Sequence, residues 1–231
     1  MLSFLLELVP SLLVGFWLGG QQPELSTRLA RPLVRFGVPL SVMGLLLRGG
    51  LTSAVLKAAV VAPVVVSLWL VLVSIQSAGN PHRSSALRLG SCVGNTAYVG
   101  VPLALAFLPE TALPITIGYD IGATLFTWSV GAVMLAGGSL QSSSLLRGAA
   151  QGLLLSPASR GLLGALLVQW TPWNESLADA LWWPSRLVLI LALFVVGLRL
   201  GALFRDRRIP GLLNPGLREA LVGKLLLFPL L

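Results

Sequence analysis

Apolar residues gather into runs of about twenty, separated by short polar or glycine- and proline-rich breaks. About 20 apolar residues in a helix, at 1.5 Å rise per residue, cross a hydrocarbon core. On that scale the pattern predicts helices over 3–20, 31–48, 55–76, 87–108, 112–137, 148–171 and 183–204, and an eighth from residue 217 that is cut off at Leu231. Turn signals mark the intervals: Gly19-Gly20-Gln21-Gln22-Pro23, Gly49-Gly50, Gly79-Asn80-Pro81, Pro109-Glu110, Ser142-Ser143-Ser144 and Pro210-Gly211. The expected fold class is an all-α polytopic membrane protein with about 8 TM segments. Residues 1–20 lack a basic leader and a small-residue cleavage site, and Glu7 interrupts the run. They read as the first span and not as a signal peptide.

One run departs from the pattern. Gly94-Asn95-Thr96-Ala97-Tyr98-Val99-Gly100-Val101-Pro102 places two glycines, an amide and a proline inside the fourth predicted span. Glycine costs about 1 kcal/mol against alanine in a helix interior, and proline about 3. In hydrocarbon, backbone groups freed by such a break must be satisfied by protein or by a water-filled cavity. The segment therefore reads as the unwound middle of a discontinuous helix, the device with which carriers bind solutes near the bilayer midplane.

Composition agrees with burial in lipid. The 231 residues are 55% hydrophobic and 10% charged, against about 25% charged in soluble domains, and mean hydropathy is +0.88. The formal charge of +8 is spread over short loops, so it reads as topology and headgroup contact, not as a nucleic-acid face. Of the 16 basic residues, 12 fall after the first, third, fifth and seventh helices: Arg28, Arg31, Arg35; Arg83, Arg88; Arg147, Arg160; and Arg199, Arg205, Arg207, Arg208, Arg218. Positive residues favour the cytoplasm, so the N-terminus is predicted to face outward across the cell (plasma or inner) membrane. One cysteine, Cys92, excludes a disulfide framework and a zinc cluster. The single histidine, His82, sits in the polar loop Asn80-Pro81-His82-Arg83.

A weak internal repeat is visible. Val42-Met43-Gly44-Leu45-Leu46-Leu47-Arg48 closes the second helix, and Val195-Val196-Gly197-Leu198-Arg199-Leu200 closes the seventh. An apolar helix with an internal proline follows each, with Pro63 in one and Pro229 in the other. The copies are five helices apart, an odd number, so the second is inverted in the membrane. The predicted division is a first five-helix repeat over 1–140 and a partial second repeat over 141–231. A complete second copy would run well past Leu231, so the chain reads as truncated.

These residues resemble the auxin efflux carrier family, which holds the plant PIN-like carriers and bacterial transporters of malonate-type organic acids. The resemblance rests on Gly94-Asn95-x-x-Tyr98-Val99-Gly100-Val101-Pro102, on Tyr119-Asp120-Ile121, on Val38-Pro39-Leu40 and on Gly197-Leu198-Arg199-Leu200, and it covers essentially the whole chain. It implies ten helices in two inverted five-helix repeats, with the fourth and ninth broken and crossing at the centre. Asn95 and Pro102 would then be the crossover residues of the first broken helix. The ninth and tenth helices of that pattern are absent from this sequence.

The chemistry expected at the break follows from helix ends. A first half-helix ends in carbonyls carrying about −0.5 charge, and a second begins with N–H groups carrying about +0.5. Pro102 suits the first turn of the second half, a carboxylate fits its N–H groups, and a cation fits the carbonyls. Asn95 both donates and accepts. The expected substrate-binding residues are Asn95, Gly94, Gly100, Pro102 and Tyr98. Asp120 lies well inside a predicted span, where a carboxylate costs about 2.5–3.5 kcal/mol to insert. It is the candidate for a coupling proton or ion, or else the partner of a nearby arginine. Tyr119 is a second candidate cavity residue. Trp69, Trp128, Trp170, Trp173, Trp182 and Trp183 read as a membrane-interface belt; Glu7 and Lys224 lie too near the chain ends to assign.

The expected function is a secondary transmembrane transporter of a small organic anion by alternating access, coupled to protons or sodium. It would sit among membrane lipid as a homo-oligomer, without cofactor, metal or nucleic acid. The alternative is a truncated, non-transporting scaffold or fragment of such a carrier. A membrane-embedded enzyme would need clustered carboxylates, a Ser/His pair or a metal-ligand set, and the sequence places none together.

Overall fold

A backbone surrounded by apolar side chains closes its hydrogen bonds on itself, and helices do this within one segment. The computed structural model describes residues 2–76, 84–135, 147–148, 150–151, 154–206 and 215–230, and every regular element among them is helical. In chain order they are α1 (Leu2–Gln21), α2 (Pro23–Gly49), α3 (Ser53–Gln76), α4 (Ser85–Gly90), α5 (Val101–Phe107), α6 (Leu113–Phe126), α7 (Pro157–Gln169), α8 (Asn174–Arg205) and α9 (Pro215–Val222). A π turn, Thr96–Gly100, precedes α5. Another, Thr127–Gly131, prolongs α6 towards Leu135, and a third, Gly223–Leu227, prolongs α9.

Three helices, α2, α3 and α8, with 27, 24 and 32 residues, are long and apolar enough to cross a membrane. Outward-facing Ile75, Leu167 and Trp170 are 69%, 75% and 88% exposed, which suits a surface turned to lipid better than one turned to water. The chain is thus all-helical among the described residues and suited to membrane association. The expected loop residues His82, Ser142–Ser144 and Pro210-Gly211, and the expected boundary at residue 140, lie outside the described residues.

Several helix boundaries differ from the hydropathy pattern, because hydrogen bonding continues where apolarity stops. α2 begins at Pro23, eight residues before the apolar run, with proline at its start and an exposed Glu24–Arg28 pair at i,i+4 (3.4 Å). α8 begins at Asn174, nine residues early, with Glu175 in its first turn, where a negative charge suits the helix dipole. Residues 147–148, 150–151 and 154–155 are helical as well, but α7 itself begins at Pro157, after a break at Ser156. Ser156 caps it, accepting from Ser159 N at 3.0 Å. Gly50, at φ +70°, ends α2 in a backbone conformation that favours glycine.

Prolines shape three of the joints in the same way. The tetrapeptide Gly-Val-Pro-Leu occurs at Gly37–Leu40 and at Gly100–Leu103. In both places a five-residue π turn ends on the glycine and α-helix resumes at the valine. Pro229 likewise stands two residues after the π turn Gly223–Leu227. Proline lacks an N–H and its ring crowds the carbonyl four residues back. A wider turn just upstream relieves both conflicts without ending the helix. Pro63, matched to Pro229 by the sequence repeat, instead lies inside the α-helix of α3.

Glycine contacts hold the bundle together. Gly15 and Gly19 of α1 face Gly197 and Gly201 of α8, and a Cβ on any of the four would run into backbone of the opposite helix. Gly118 and Gly122 of α6 stand the same way against Val55 and Ala59 of α3. Gly161 of α7 meets Pro39 and Val42 of α2, and Gly44 of α2 meets Leu181 and Ser185 of α8. Between helices in lipid the hydrophobic effect gives no drive to associate, so small residues that permit close backbone approach supply the packing. Around these seams lies one core, built from Val42, Leu45 and Leu46 of α2, Val55 of α3, Val101 of α5, Ile117 and Ile121 of α6 and Ala165 of α7. A second core joins Val66, Trp69 and Val73 of α3 to Leu89, Cys92 and Phe126.

Candidate functional site at the break in the fourth span

The predicted fourth span is two helices with an elbow between them. α4 starts at a serine cap, Ser84, and stops after six residues. Its last bonds tighten, with Cys92 N donating to Leu89 O at 3.1 Å and Val93 N to the same oxygen at 2.8 Å. Val93, Gly94 and Asn95 belong to no helix. Helical bonding restarts at Asn95, whose carbonyl accepts from Val99 N (3.0 Å) and Gly100 N (3.2 Å).

The unwound stretch therefore lies earlier than expected. It spans Val93–Asn95, not Asn95 to Pro102, and Pro102 sits in the first turn of α5 beyond a π turn that is already helical. The π turn is what lets the backbone recover six residues before the proline. Gly94 and Asn95 are exposed. Neither Gly94 nor Gly100 is demanded by packing, since the nearest neighbour of an added Cβ would be a Thr96 side-chain atom at 3.7 Å and 3.6 Å respectively. The side chains of Tyr98 and Pro102 lie outside what is described.

Asp120 is brought to the break. It is 6% exposed on α6 and accepts hydrogen bonds from Thr96 Oγ1 and, at 3.5 Å, from Thr124 Oγ1. Its expected alternative as partner of an arginine is not realised: no described arginine forms an ion pair with it within 4.0 Å. The hydroxyls take that place because α6 packs Asp120 inward, against the residue that follows Asn95. Next to this pair, an open groove of about 510 Å³ runs between α5 and α6, lined by Thr96, Gly100, Leu103, Phe107, Thr116 and Tyr119 among others. Gly100 and Tyr119 thus line the same groove, from the α5 side and the α6 side respectively, whereas Gly94 and Asn95 are outside its lining and sit on the elbow itself.

Two residues take roles the sequence did not assign. Trp69 is no belt residue: it is 7% exposed, and its Nε1 donates to Ser91 Oγ at 2.8 Å, which in turn donates to Arg88 O at 2.6 Å. Trp170, Trp173 and Trp183 are strongly exposed. Lys224, from α9's π turn, donates from Nζ to Val93 O at 2.7 Å. Gly223 beside it rests on Trp69, and Phe228 meets the Trp69 ring edge-on at 5.8 Å between centroids. An isolated lysine in an apolar segment is a signal readable in sequence. No protein-family model, curated protein or solved structure matches this chain.

Proposed function

We propose that the chain is a secondary carrier that moves a small organic anion by alternating access, with the elbow of the fourth span as its binding site. The observation that carries this reading is the loss of helical bonding at Val93–Asn95 inside an apolar stretch, with a buried carboxyl, Asp120, tied to the adjoining Thr96. Irregular backbone at membrane depth is tolerated where it lines a cavity, and carriers bind solutes at such breaks. The glycines add to this. Those at helix seams are required by a neighbour, while a Cβ at Gly94 or Gly100 would meet only Thr96 at ordinary contact distance, and glycine is used where a ligand approaches backbone closely.

The packing also supports an inverted repeat of eight spans. Exchanging the first span with the sixth and the second with the seventh turns the α1–α8 seam into the α7–α2 seam, and α2 packs on α8 across the axis between them. The resemblance to the auxin efflux carrier family rests on the same break and leads to the same reading: Asn95 and the Gly94–Gly100 backbone hold the solute, and Asp120 carries the coupling proton. Sodium is the alternative coupling ion to the proton, and an outward N-terminus and a homo-oligomer remain part of this proposal.

The test is uptake of radiolabelled malonate and indole-3-acetate by liposomes holding the purified chain, under an imposed pH gradient. Asn95→Ala should insert normally and lose flux by at least about tenfold, the effect of one missing hydrogen bond to a charged solute. Undiminished flux in that variant would remove Asn95 from the site, and no flux in the parent protein would end the carrier reading.

A further inference from the structure

The eighth segment brings a full positive charge to the break. Lys224 lies among Leu221, Val222, Leu225, Leu226 and Leu227, all of them exposed, while its own side chain turns inward and is half-buried. One N–H is spent on the Val93 carbonyl. An ammonium has three donors and no acceptor, so this bond satisfies the carbonyl without supplying a formal counter-charge. Among the described residues no carboxylate forms an ion pair with it within 4.0 Å. Asp120 directs its carboxyl to Thr96 and Thr124. Charges inside a membrane protein normally pair with one another or mark a solute path. Here the cation is pinned at the unwound backbone, next to the exposed Gly94 and Asn95.

We propose that Lys224, held on the Val93 carbonyl, is the counter-charge that receives the carboxylate of the bound anion at this elbow. The proposal rests on the carrier reading and names the residue that makes the site selective for anions. A purely structural clamp on Val93 would need only a donor, whereas an anion site needs the charge, and the two are separable by substitution. Lys224→Gln keeps a donor and removes the charge; Lys224→Arg keeps both.

Equilibrium binding of radiolabelled malonate and indole-3-acetate to the detergent-purified chain, with indole-3-acetamide as uncharged competitor, reads the difference. The parent protein and Lys224→Arg should bind an acid within about threefold of each other. Lys224→Gln should bind at least about tenfold more weakly, the value of a lost charge-assisted bond, and the amide should not compete. Full binding by Lys224→Gln, or no binding of either acid by the parent, overturns the assignment. A second measurement needs no variant. The chain has two lysines, Lys57 and Lys224, and Lys57 is exposed on α3. Malonate should slow acetylation of Lys224 at least about threefold by mass spectrometry and leave Lys57 unchanged; equal rates at Lys224 with and without the acid count against the site. Lys224-dependent binding without vesicle flux would defeat the carrier reading alone. Flux indifferent to Lys224→Gln would defeat the Lys224 assignment alone.

Discussion

Alanine should act in opposite directions at two adjacent positions of α1, Gly19 and Gly20. At Gly19 an added Cβ would stand 2.6 Å from both Leu198 Cα and Leu198 C, with the Leu198 carbonyl oxygen closer still. That is 0.8 Å inside the 3.4 Å at which ordinary contact begins. All three atoms are backbone of α8, so no rotamer change relieves the clash. α1 and α8 must move apart by about 1 Å, and a gap of that size forfeits a quarter to a half of each dispersion contact along the seam. Overpacking of this kind costs about 1–3 kcal/mol. At Gly20 the nearest atom to a Cβ would be Gly201 O at 3.9 Å, so alanine there meets no obstacle and gains up to about 1 kcal/mol of helix propensity. Thermal melting of the two variants in the same detergent, followed by tryptophan fluorescence, separates the cases. At about 2–4 °C per kcal/mol for a chain of this size, Gly19→Ala should melt about 2–12 °C below the parent and Gly20→Ala at or slightly above it. If Gly19→Ala melts as high as Gly20→Ala, the close α1–α8 seam is wrong.

Two further predictions concern polar contacts. Thr96→Val should lower stability by about 1–3 kcal/mol, since it leaves the buried Asp120 carboxyl without its closer partner; Thr124→Val, whose bond is 3.5 Å long, should cost less. Melting curves of both variants check the order, and a larger loss at Thr124 would contradict the geometry. Arg48 and Asp179 bond at 2.7 Å with side chains 48% and 73% exposed. A double-mutant cycle to alanine should give a coupling below about 1 kcal/mol, weakened further by 0.5 M salt as screening requires; a salt-insensitive coupling above that would show the pair to be shielded from solvent.

The amino-acid pattern alone was enough to place helices, and to mark where one of them fails. Apolar runs of spanning length force intrasegment hydrogen bonds whatever surrounds them, so α1 and α3 fall close to their expected limits. Gly94, Asn95 and Pro102 weaken helix by local physics, so a break in the fourth span was legible too. Its position was not. Whether backbone unwinds at Val93 or at Val99 depends on a π turn, and that turn depends on what packs around it. The partner of Asp120 was equally hidden, because a carboxyl in a span can be held by an arginine or by hydroxyls, and only the placement of Thr96 beside α6 decides. Trp69 reads as a belt residue from its place near a span end, yet it is buried because Ser91 and Gly223 close over it. The Gly15/Gly19 and Gly197/Gly201 spacings were visible along the chain as small residues four apart, but which helix each pair faces is a property of two segments at once. Lys224 makes the same point at the site itself. Its charge is written in the sequence, while its arrival at the Val93 carbonyl, 131 residues away along the chain, exists only after α9 has docked. Local composition determines where backbone can be helical; long-range packing decides which freed groups meet, because that is settled by space and not by order in the chain.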